Sequence, residues 1–148
     1  MQNVVGKDYE LYRRWFERSL DLIWQMPPEL RAKADPMAAV AQAEAVSTAK
    51  AIKSVTAGIT DTVGMTDRHS QQEIAALDAH FEREGLPSLS AMRNLFSKKA
   101  RKILKSGKVE SEEDFYTLKA LEDADLPEAT KVEIEALLGD YELRLLSQ

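Results

Sequence analysis

The chain has 148 residues, 44% hydrophobic and 30% charged, with no cysteine and a formal net charge of −5 at pH 7. That length suits one ordinary domain, and the composition excludes wholesale disorder. The missing cysteines exclude disulfides, thiolate nucleophiles and cysteine-held metals, and the overall acidity excludes a protein whose whole body binds polyanions.

No apolar run reaches the roughly 18 residues of a membrane span, and Lys7, Asp8 and Glu10 soon after Met1 leave no secretory core. The expected setting is therefore cytoplasmic. Tyr9, Tyr12, Trp15, Phe16, Leu20 and Ile23 recur at spacings of three and four, which predicts a first helix from about Lys7 to Met26. Leu11, Leu22 and Trp24 widen its stripe, and Pro27 and Pro28 end it. Its aromatics are expected to fill the core.

Asp35 and Pro36 form an N-cap and first-turn pair that opens a long alanine-rich helix. Ala41, Ala45 and Ala49 lie four apart on it and predict a close helix contact, either within the chain or in a homo-oligomer through that face. Gly58, Gly64 and the threonines between Ser54 and Thr66 predict fraying or a hinge.

Ser70 and Glu73 match a capping box for a helix that stops at Gly85, before Pro87. Ser88 opens the next helix, which presents Met92, Leu95, Phe96, Ala100, Ile103 and Leu104 on one face and ends near Gly107. Ser111 and Asp114 precede another helix with Phe115, Leu118 and Leu121. Asp125, Pro127 and Glu128 open the last, whose face is Ile134, Leu137, Leu138, Tyr141 and Leu145.

No stretch alternates with period two, so the expected fold is all-α with five to six helices in one domain, residues 1–148. A soft join at 64–70 would separate an N-terminal antiparallel hairpin (1–66) from a compact bundle (67–148). Phe81, Leu95, Phe96, Ile103, Phe115, Leu118, Leu137 and Tyr141 would form the centre of that bundle.

Charge gives the one functional signal. Residues 86–109 carry seven basic side chains and no acidic one, whereas 110–148 carry twelve acidic against three basic. Arg93, Lys98, Arg101, Lys102, Lys105 and Lys108 lie mostly away from the apolar face and form a candidate interaction surface. Their spacing would let them neutralise phosphates, but a run of charge is more often a solvated face or one that pairs internally. Pairing with the acidic C-terminal helices is the expected arrangement.

The acidic cluster of Glu110, Glu112, Glu113, Asp114, Glu122, Asp123 and Asp125 lacks the residue order and central glycine of a calcium loop. Glu73, His80 and Glu84 share one helix face, yet beyond them the chain has only His69, too few ligands for a bundle metal site. The isolated glycines form no phosphate-cradling loop. These observations assign no catalytic, cofactor or metal residue. They favour a non-catalytic helical protein acting through another protein, as adaptor, regulator or immunity-type inhibitor. The alternative is a nucleic-acid-binding regulator using the basic helix 93–108, and a carboxylate-based enzyme without cofactor is more remote.

Overall fold

The computed structural model describes residues 1–148, and all of its regular structure is helical. The helices are α1 (Gln2–Lys7), α2 (Tyr9–Ser19), α3 (Pro28–Lys33), α4 (Pro36–Val46), α5 (Thr48–Met65), α6 (Gln71–Arg83), α7 (Leu89–Leu95), α8 (Lys98–Ser106), α9 (Glu112–Glu122) and α10 (Glu128–Leu146). A π-helical turn (Leu20–Trp24) prolongs α2.

The count exceeds the five or six expected because two of the helices read from the periodicity contain a corner and two short helices, α1 and α3, lie outside them. Asp8, whose backbone leaves the helical region (φ −148°, ψ 56°), separates α1 from the start of the first helix as read. The alanine-rich helix breaks at Ser47, whose hydroxyl accepts from the Lys50 amide at 3.1 Å, and the basic helix at Ser97, which accepts from Ala100 at 3.2 Å. A serine in mid-pattern can satisfy the free amides of a new helix start, so a corner there leaves them paired. The other caps lie where the sequence puts them. Asp35 accepts from Met37 at 2.9 Å, Ser70 and Glu73 form the full capping box, and Gly107 ends α8 in the left-handed region at φ +71°.

The hinge expected in the threonine-rich stretch is absent. There α5 runs unbroken to Met65, and the hydroxyls of Thr56, Thr60 and Thr62 donate to the carbonyls of Ile52, Thr56 and Gly58 at 2.7–2.8 Å. Weak propensity is overridden because α5 buries Ala51, Val55, Ile59, Thr62 and Val63.

A close helix approach exists, but not at the alanines. Ala41, Ala45 and Ala49 are exposed, and the corner at Ser47 puts Ala49 on a different helix from the other two. The small residue at a crossing is Gly58, where an added Cβ would lie 2.6–2.9 Å from ring carbons of Phe16. Trp24 then donates its indole N–H to Thr62 Oγ1 at 2.9 Å. Phe16 meets Gly58 and Trp24 meets Thr62, so α2 crosses α5 in the same chain sense and not as the antiparallel hairpin expected. At the near end of α4, Glu44 accepts from Tyr9 Oη at 2.8 Å and from Arg13 Nε at 3.0 Å. These two partners, Tyr9 first, hold the Glu44 carboxyl below the usual carboxylate range.

One buried cluster of 28 residues runs from Val4 to Leu138. At its centre Trp15 stacks on Phe81 (centroids 4.8 Å apart, planes 14°) and donates Nε1–H to the Pro87 carbonyl at 2.9 Å. Tyr12 meets Phe96 edge to face and hydrogen-bonds Thr130 at 2.7 Å. Of the residues expected at the bundle centre, Phe115, Leu137 and Tyr141 pack against this cluster partly buried.

We predict that Gly58→Ala destabilises by about 1–3 kcal/mol in urea unfolding, the usual cost of overpacking a filled contact. Ala45→Leu, on an exposed site, should stay within about 0.5 kcal/mol of the parent with no change in mass by light scattering.

Candidate functional site

The basic surface is built on α8. Ala100, Ile103 and Leu104 face the core, and 3.6 residues per turn then puts Lys98, Arg101, Lys102 and Lys105 together on the outer side. Arg93 sits on α7 across the corner, and Lys108 follows the glycine stop.

The expected pairing with the acidic helices is confined to Lys99, whose ammonium meets Glu113 of α9 at 2.5 Å. That hydrogen bond raises the Lys99 pKa and lowers that of Glu113. Arg93, Lys98, Arg101, Lys102, Lys105 and Lys108 form no ion pair. Other acids of these helices are used elsewhere: Ser111 and Asp114 cap α9, Glu122 takes Lys119, Asp140 takes Arg144 and Glu133 takes Lys7 of α1. Arg144 also donates to the Val109 carbonyl, tying α10 to the α8–α9 connection.

Four of the six cations line concave surface. A cleft of about 620 Å³ lies between the end of α5 and the α7–α8 corner, with Thr60, Gly64, Arg93, Asn94, Lys98 and Arg101 among its walls. A second cleft of about 530 Å³ takes in Gln2, Asn3, Thr56, Thr60, Arg101 and Lys105. Thr60 and Arg101 belong to both, so the two clefts adjoin and together make up the groove beside α5. Arg101 Nε is buried there without a hydrogen-bond partner. Lys102 and Lys108 line neither cleft.

The other constellations disperse. His69, Glu73 and His80 border a shallow cleft, but Glu73 is held in its capping box, His80 Nδ1 lies 3.1 Å from Arg83, and Glu84 binds Arg18 at 2.7 Å. No group of three His, Asp or Glu side chains is placed to hold a metal ion, and no helix is long and apolar enough to cross a membrane.

A second surface was not singled out from the sequence. α10 buries Thr130, Ile134 and Leu138, while Val132, Ala136, Gly139, Leu143 and Leu146 recur at intervals of four and three on its opposite side. Val132, Leu143 and Leu146 are 55%, 65% and 83% exposed. Leu145, read as core, is itself half exposed. The signal was legible as a second heptad-like stripe; the core stripe beside it masked it. An added Cβ at Gly139 would meet nothing within 4 Å, so no contact within the chain requires glycine there.

Comparison with known protein families, curated proteins and solved structures returns no match.

Because the outward cations have no internal partners to lose, replacing Lys98, Arg101, Lys102 and Lys105 together with Gln should leave the urea midpoint unchanged or raised through relief of like-charge repulsion. Lys99→Gln should lower it slightly.

Proposed function

We propose that this protein is a non-catalytic helical module that acts by binding another protein, and that it docks an amphipathic helix with basic flanks along the outer face of α10. One observation carries this reading: α10 has two opposed apolar faces and the fold covers one of them. A helix that is apolar on both sides is normally buried on both, and exposed apolar stripes rimmed by charge mark interaction surfaces.

The small centre supports close approach. A glycine inside a helix costs about 1 kcal/mol relative to alanine, and Gly139 meets that cost with no compensating contact inside the chain. Beside Ala136 it would let another helix backbone come near, with Val132, Leu143 and Leu146 as outlying anchors. Charge selects the partner. Glu135 and Glu142 flank the stripe on one side and Asp140 on the other, all exposed, so a second copy would set acid against acid, whereas Lys or Arg flanks would be complementary. An adaptor, a regulator or an inhibitor of a basic partner would all use such a face.

The test uses two synthetic helical peptides with the same leucine stripe, one flanked by lysines and one by glutamates. The lysine-flanked peptide should bind and the glutamate-flanked one should not. Leu143→Asp should weaken binding at least tenfold, although it adds negative charge, because burying a leucine contributes roughly 1.5–3 kcal/mol. Gly139→Ala should stabilise the free protein by about 0.5–1 kcal/mol while weakening the complex. Equal binding of both peptides, no binding, or Leu143-dependent dimerisation in light scattering would overturn the reading.

A further inference from the structure

We propose that the groove between α5 and α8 holds the sugar–phosphate backbone of a short single-stranded stretch of nucleic acid. This rests on different residues from the α10 face and stands or falls apart from it.

Cationic and neutral polar groups converge on the groove from separate elements. Arg93 comes from α7, Lys98, Arg101 and Lys105 from α8, and Thr56 and Thr60 from α5. None of the four cations has an intramolecular ion pair, and Asp67 is the only acid on the walls. Lone cations confer salt-dependent affinity for phosphate; in a concave setting their fields add.

Shape argues for a single strand. The two clefts adjoin at Thr60 and Arg101, and their α5 wall runs from Thr56 to Gly64, roughly 12 Å at 1.5 Å per residue. That suits a linear run of phosphates better than one compact anion. Arg101 lines both clefts, so a slender chain running from one to the other would pass it, whereas the convex face of a duplex would bridge over them. The bases would stay outside, because stacking needs exposed rings and Phe96, the groove's aromatic, is 2% exposed. Binding is thus expected to be tolerant of sequence.

The test is anisotropy of a labelled oligothymidine over a range of salt, with the urea midpoint of each variant confirming the fold. Log affinity should fall linearly with log salt, and each lost phosphate contact should reduce that slope by about 0.7. Arg101→Gln and the exposed Lys105→Gln should each show this reduction, Lys99→Gln should not, and Asp67→Asn should tighten binding. Inorganic triphosphate should compete poorly and a duplex of the same length should bind more weakly. Absence of binding at low salt, equal effects of Lys99→Gln and Arg101→Gln, or triphosphate or duplex matching the single strand would each overturn the proposal.

Discussion

The fold depends on satisfying the polar ends of two fully buried aromatic side chains on α2. A buried donor without a partner costs on the order of 1–3 kcal/mol, so the Trp15 indole and the Tyr12 hydroxyl each need a fixed acceptor or donor in the core. Trp15 finds the Pro87 carbonyl in the connection after α6, and Tyr12 finds Thr130 at the start of α10. Both partners lie far along the chain. Those two hydrogen bonds, with the Trp15–Phe81 stack, draw the C-terminal helices around α2 and give α7 and α10 their positions.

The second constraint is the crossing of α2 and α5. With no side chain at Gly58, the Phe16 ring occupies that space, and α5 is buried on that side. Its outer side then forms the floor of the basic groove. The threonines that weaken α5 as an isolated helix return their hydroxyls to the preceding turn, and Thr56 and Thr60 border the groove at the same time.

Charge is segregated by the order of helices. α8 carries its cations outward beside α5, where acids are scarce, while most acids of α9 and α10 remain on their own surface and a few are held by caps and short-range pairs. The two surfaces that result differ in physical character. The groove is concave and cationic and has almost no apolar contact to offer, whereas the α10 face is apolar at its centre and acidic at its rim. As proposed, the two surfaces would take ligands of opposite charge.

Local chemistry was legible in the sequence wherever one residue and its near neighbours decide it. The caps at Asp35, Ser70, Ser88 and Ser111, the stops before Pro27 and at Gly107, and the buried stripe of Met92, Leu95, Phe96 and Ile103 follow from spacing and side-chain type. The corners at Ser47 and Ser97 were not legible, because a serine inside a helical period is tolerated on its outer side or turned into a cap according to what the next segment packs against. The six candidate cations were visible as a group, but their freedom from the acidic helices was not. Sequence order puts opposite charges side by side, and only the direction in which α8 packs separates them. The groove lies further still from sequence reading, since Thr56, Thr60 and Arg101 line the same clefts from α5 and α8, elements separated by more than thirty residues. The sequence by itself determined which faces are apolar and where helices can start; the tertiary structure decided which faces remain uncovered, because that depends on which helices the buried partners of Trp15 and Tyr12 bring together.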